Sequence, residues 1–319
     1  GGEANAIAIR IARASAGKHN IAICGYHGWH DWYLSVNHNT HGDDLKKHLL
    51  PGLEPKGVPK ELKNTVFPFD YNNYDQLYNI VSTKNIGVIK MEVIRNMPPK
   101  ENFLQKVRDL ASKNNIVLIF DECTSGFRET YGGVHKKFNV EPDIAMFGKT
   151  LGNGYAITAV VGRREIMESA QKTFISSTFW TERIGSIAAL KSLEIMEKEK
   201  SWDRITKIGK IIQRKWSQIT EKHNVKIKIQ GIPSLSTFSF ENDQALELKT
   251  YLTQEFLKRG YLGSTSFYTS LAHNKEILKN YFEVFEEIIF LISKGIEKEK
   301  NFNDLLDKSV CHSGFKRLN

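Results

Sequence analysis

IVLIFDECTSGFRETYGGVHKKFNVEPDIAMFGKTLGNGYAITAVVG, residues 116–162, is the stretch whose reading decides how this chain folds. It opens on an apolar, β-branched run, Ile116-Val117-Leu118-Ile119-Phe120, that stops at two carboxylates, Asp121 and Glu122. A second run, Asp143 to Phe147, stops at Gly148-Lys149 and a glycine-rich turn, and a third, Ala156 to Val161, returns to Gly162-Arg163. Short apolar runs bounded by Gly, Asp and Asn predict fully buried strands. In an open α/β sheet, ligands gather beyond the carboxyl ends of the strands. The pattern therefore puts Asp121 and Lys149, 28 positions apart (149 − 121), at the ends of two buried strands. A buried lysine loses proton affinity and becomes a nucleophile towards carbonyls. A carboxylate at a strand end holds a protonated ring nitrogen. Taken alone, these residues leave blander roles open: the Asp-Glu pair as a helix cap, Lys149 as a solvated side chain.

DECTSGFR (121–128) followed by FGKTLGNGYAITAVVGR (147–163) resembles the class III, fold type I aminotransferases, and most of all their glutamate-1-semialdehyde aminomutase branch. The resemblance implies an α/β fold, with a mainly parallel central sheet covered by helices on both faces. A smaller C-terminal α+β domain follows, with residues 1–205 forming the large domain and 206–319 the small one. It also implies a pyridoxal 5'-phosphate (PLP) enzyme. Lys149 matches the lysine that carries the cofactor as a Schiff base, and Asp121 the residue that pairs the pyridine nitrogen. Cys123 falls where the family packs a small apolar residue against one face of the ring.

Further matches extend over nearly the whole chain. Residues 3–16 predict a helix stopped by Gly17, entered through Gly1-Gly2. A glycine turn at a helix N-terminus is suited to phosphate. In the family this turn cradles the cofactor phosphate, although a hydroxyl residue is common where Gly2 stands. The motif lies well inside the family's proteins, so the sequence is expected to lack their N-terminal part. Tyr26-His27-Gly28 follows a predicted strand, 20–24, and matches the segment whose aromatic lies on the cofactor ring. Glu92 ends the predicted strand 86–91 and matches the family's Glu-Pro, but Val93 replaces the proline and the spacing is one shorter. Asn96 is therefore not carried over, and Arg95 is read either as an anion contact or as a solvated loop residue. Thr178 matches a threonine that binds the phosphate of a neighbouring subunit, which implies a homodimer, although Glu182-Arg183 stand in place of an Asn-Pro pair. The polar stretch 35–65 is expected to border the substrate channel.

Three widely spaced cysteines, Cys24, Cys123 and Cys311, form neither a disulfide framework nor a metal pattern, which predicts a reducing, cytoplasmic compartment. His27, His30 and Asp31 lack a further ligand at metal spacing, and no metal is expected. No apolar run approaches a membrane span, and no signal peptide opens the chain. The net charge of +9 is scattered over helix faces, which argues against nucleic acid.

The expected activity is transfer of an amino group from a small-molecule donor to a carbonyl acceptor. The rival within the same chemistry is a glutamate-1-semialdehyde-type aminomutase, which moves nitrogen inside one molecule. That branch carries a carboxylate shortly before a Ser-x-Ala-His run. Residues 263–273, GSTSFYTSLAH, hold no acidic residue, which favours intermolecular transfer. A non-catalytic relative is the third reading, opposed by the presence of Lys149, Asp121 and Tyr26 together.

Overall fold

The computed structural model describes residues 1–38, 42–94 and 96–315. Arg95, with its expected anion contact, lies outside the described residues. Two compact units divide the chain, one from Gly1 to Lys200 that also takes in the residues from Gly314 on, the other Ser201–Ser313. The break thus falls five residues before the expected 205/206. Lys200 ends one helix in the left-handed conformation, φ 46°, and the next helix begins at Ser201.

In the first unit, helix α1 (Gly2–Ala16) leads to β1 (Asn20–Cys24), the short α2 (Asp31–Leu34) and β2 (Val66–Pro68). Then come α3 (Tyr74–Thr83), β3 (Ile86–Glu92), α4 (Phe103–Lys113), β4 (Val117–Asp121), β5 (Ile144–Phe147) and β6 (Ala159–Gly162). The one-turn α5 (Arg164–Met167) and α6 (Arg183–Glu199) complete it. The sheet runs β2-β1-β3-β4-β5-β6. The first five strands are parallel, and β6 joins β5 antiparallel.

Parallel strands are covered on both faces, so they need apolar residues at successive positions rather than alternate ones. β3 and β4 are buried at every residue. One face carries Val88, Val117, Ile119 and Ile144 under the Ala4, Ala8 and Ile11 side of α1. The other carries Ile89, Leu118 and Phe120 under Leu77 of α3 and Leu104, Val107 and Leu110 of α4. The third apolar run does not behave as expected: β6 is an edge strand with one neighbour, and its Val161 is 49% exposed.

The second unit comprises α7 (Ser201–Lys222), β7 (Ile227–Gln230), β8 (Leu235–Phe240), α8 (Ala245–Lys258), β9 (Ser266–Tyr268) and α9 (Lys275–Glu297). Its strands form an antiparallel sheet, β7-β8-β9. Trp216, Phe238, Phe256 and Phe285 fill the core, where the Trp216 indole N–H donates to the Tyr281 hydroxyl at 2.9 Å.

Candidate active site

The parallel strands deliver their last residues to one edge of the sheet. Glu92 and Asp121 are register partners at the ends of β3 and β4, and Asp121 pairs with Met146 of β5. Lys149 follows β5 after Gly148. Its backbone takes φ 43°, a left-handed conformation that is costly for a side-chain-bearing residue and that clusters at functional sites. Lys149 is exposed rather than buried: its side chain leaves the sheet edge and its Nζ donates to Thr124 Oγ1 at 2.6 Å. Thr124 belongs to the turn that Asp121 opens, so the lysine and the carboxylate border the same turn. Cys123 lies in that turn too, and a Cβ placed on Gly148 would stand 3.4 Å from its Sγ. Burial pushes the Cys123 thiol up to about 12, with the charge of Asp121 adding to the effect, so the thiol stays protonated and packs as a small apolar group.

Asp121 is 4% exposed and holds several donors. Its Oδ2 faces His27 Nδ1 at 2.9 Å and Lys90 Nζ at 3.6 Å, and its Oδ1 accepts the Cys123 backbone N–H at 3.1 Å. Burial alone would raise the carboxyl's proton affinity. The Lys90 charge, the His27 hydrogen bond and the Cys123 N–H outweigh it and hold the group far below the usual carboxylate range. Asp121 is ionised. His27 is fully buried, and desolvation drops its imidazole to about 4 despite the bond to Asp121. At neutral pH it is uncharged and donates its Nδ1–H to Asp121, while its Nε2 has no hydrogen-bond partner.

A pH dependence follows from His27. Its folded-state value lies below its ordinary one, so the folded protein binds fewer protons than the unfolded chain between the two. The stability His27 contributes is whole above about pH 6.5 and is lost as pH falls towards 4, by up to about 3 kcal/mol. Urea midpoints measured across that range should fall with pH, and His27→Asn should flatten the slope.

The remaining expected residues are placed as follows. Gly1 precedes α1 and Gly2 begins it, so the helix N-terminus, with its unpaired N–H groups, stands beside the Tyr26–Gly28 loop. The approach is close: Gly28 has φ 99°, and a Cβ there would meet Gly2 Cα at 2.8 Å. Tyr26 is half-buried and donates its backbone N–H to Glu92 Oε2 at 3.1 Å. Beside Glu92 lies a cavity of about 250 Å³, lined in part by Lys47 and His48 of the long polar loop and by Asn96. Thr178 is not brought to the cluster: it is exposed at the start of a 3-10 turn, Thr178–Thr181. Glu182, the departure from the family pattern, caps α6 by accepting Ile184 N–H at 2.7 Å and Gly185 N–H at 3.2 Å.

Two features escape a reading of the sequence. Glu122 is fully buried and accepts the His135 backbone N–H at 3.0 Å and the Ser125 hydroxyl at 2.5 Å, which pins the turn carrying Cys123 and Thr124. Lys90 is fully buried on β3. Its signal is a charged residue inside an apolar strand, two positions before the strand-terminal Glu92 and therefore on the same face.

Fold and site together define a doubly covered parallel sheet with a carboxylate and a lysine at adjacent strand ends. Solved structures with this fold include an omega-transaminase from Sphaerobacter thermophilus, TM-score 0.80 at 22% identity, covering 92% of this chain and 73% of that one. The ornithine aminotransferase from Toxoplasma gondii superposes with TM-score 0.79 at 20% identity, covering 94% and 72%. The chain belongs to the class-III aminotransferase family, whose profile matches residues 1–289. It is 35% identical over 265 residues to a 3-aminobutyryl-CoA aminotransferase of Cloacimonas acidaminovorans, covering 80% of this chain and 60% of that protein. It is 29% identical over 313 residues to the glutamate-1-semialdehyde 2,1-aminomutase of Methanocaldococcus jannaschii, covering 90% and 72%. The chain thus spans 60–72% of the length of these two relatives.

Proposed function

We propose that the protein is a PLP-dependent aminotransferase, moving an amino group from a small-molecule donor to a carbonyl acceptor. The observation that carries this reading is the ionised, buried Asp121 at the end of β4 with Lys149 beside the same turn. The donor set suits the cofactor chemically: a permanent anion for a ring N–H⁺, an amine for an aldehyde, and a glycine-entered helix N-terminus for a phosphate. When bound, PLP supplies an aldehyde that condenses with amines and a ring that accepts electrons.

The chain's own residues do the rest. Lys149 would hold the aldehyde and, as a free amine, would move the proton at the donor's α-carbon. Asp121 keeps a proton on the ring nitrogen. Tyr26 and Cys123 would hold the ring and Gly1 and Gly2 the phosphate, while His27 and Glu92 hold Asp121 and the Tyr26 backbone in place. Thr178 is assigned to the phosphate in a second copy. Intermolecular transfer is favoured over the aminomutase reaction because residues 263–273 offer no carboxylate. The direct test incubates the PLP-loaded full chain with single amines and follows bleaching of the visible band. Conversion by an external donor supports transfer. Formation of 5-aminolevulinate from glutamate-1-semialdehyde without any donor would support the aminomutase instead.

A homodimer follows from the same reading. Ile184, Ile187 and Leu190 present one exposed face of α6, and Phe174, Phe179 and Trp180 are exposed just before it. Ile187→Glu combined with Leu190→Glu should turn a dimer into an inactive monomer in sedimentation equilibrium. An active monomer of the unaltered protein would contradict the assignment of Thr178. No helix among the described residues is long and apolar enough to cross a membrane. All three cysteines are free, which supports a reducing compartment such as the cytoplasm.

A further inference from the structure

Lys90 sits where the fold calls for an aliphatic side chain. It lies on β3 opposite Ile119 of β4, in the apolar layer beneath α1, with its side chain 0% exposed. Its Nζ reaches Met146 Sδ at 3.0 Å and Asp121 Oδ2 at 3.6 Å. Burying an ammonium is costly, and a well-packed apolar residue would serve this layer better. The ammonium shares Asp121 Oδ2 with His27, while Oδ1 takes the Cys123 backbone N–H.

We propose that Lys90 is a positioning residue that shares Asp121 with the cofactor's ring nitrogen, so that its charge weakens the carboxylate's hold on the ring proton. The inference rests on the proposed function and adds to it a setting of the electron sink. One carboxylate charge serves two cationic claimants in a site of low polarity, and their protonations are coupled. The other groups facing Lys90 are Glu92 and the Cys123 thiol. Neutral His27 and the Cys123 backbone N–H are the further partners of Asp121, and they add donors but no charge. Burial lowers the proton affinity of Lys90, and the neighbouring Asp121 works against that. With Lys90 protonated, removing it leaves the ring N–H⁺ as the one cation facing the Asp121 charge.

The test loads the full chain with PLP carrying ¹⁵N in the ring and follows the nitrogen's chemical shift against pH, with far-UV circular dichroism as a control on folding. Lys90→Met and Lys90→Gln should each raise the pH at which the ring proton is lost by about one unit or more, a tenfold gain in proton affinity. Lys90→Arg, which keeps the charge, should stay near the unaltered protein. The Gln variant reads the same effect if the Met variant does not fold. Unchanged titration in the Met and Gln variants overturns the role of Lys90, as does an Arg variant that shifts as far as they do. If the unaltered chain takes up no labelled cofactor, the proposed function fails and takes this inference with it.

Discussion

Lys149→Ala is expected to leave the fold intact and to lower turnover by on the order of 10⁴-fold or more. The two effects separate because of where the side chain lies. Lys149 is exposed, and the bond its Nζ makes to Thr124 is a surface hydrogen bond. Such a bond contributes no more than about 1 kcal/mol. Alanine keeps the Cβ, so the φ of 43° is no more strained than before. Urea midpoints should therefore move little. On the proposed role of Lys149, turnover loses both the amine that holds the aldehyde and the base that moves the α-proton. Added methylamine should restore part of the single-turnover rate. Near-normal turnover in the variant would remove Lys149 from the reaction.

Asp121→Asn should harm both stability and rate. The carboxylate is the counter-charge of buried Lys90 and the acceptor for His27 and the Cys123 N–H. Breaking one partner of a buried ion pair costs about 3–5 kcal/mol. The asparagine cannot hold a ring N–H⁺ by charge, so proton abstraction should slow on the order of 10³-fold, or about 4 kcal/mol of barrier. The pH dependence has a definite sign. Asp121 ionises in the folded state far below its ordinary value, so its contribution is whole above about pH 4 and vanishes only in stronger acid. The Asp121 contribution to the stability gap should therefore be constant around neutrality and vanish only in stronger acid. Buried Lys90, without its counter-charge, binds its proton less firmly in the variant and widens the gap as pH falls. The loss that begins near pH 6.5 belongs to His27 and should persist in the variant. A gap that narrows between pH 8 and 6 would contradict the ionised, lysine-paired state of Asp121.

The strands that carry the site were legible because buried parallel strands cannot alternate. Residues 86–91 apart from Lys90, residues 116–120 and residues 144–147 are apolar runs, and they stop at Glu92, Asp121 and Gly148-Lys149. The same rule misleads at β6, where an apolar run forms a half-exposed antiparallel edge, since composition does not say how many neighbours a strand has. In the small sheet the edge strand is β9, Ser266–Tyr268. Gly263 lies against a helix: a Cβ there would meet the Phe256 ring at 2.4 Å. Asp121 was legible as a strand-terminal carboxylate, but the burial expected of Lys149 was not found. Placement at a strand end sets where the backbone stops, and the left-handed turn after Gly148 sets where the side chain goes. Lys90 stayed hidden because a lysine within an apolar strand looks like an interruption until the neighbouring strand supplies its partner.

The proposed role of Lys149 is to hold the cofactor next to Asp121. Its most direct test is to mix the unaltered full chain with PLP, reduce with borohydride, digest, and locate the added mass by peptide sequencing in the mass spectrometer. One phosphopyridoxyl group is expected, on the Lys149 side chain within the peptide containing FGKTLGNG. Attachment at Lys90 or at any other lysine, or no trapped cofactor at all, would contradict it.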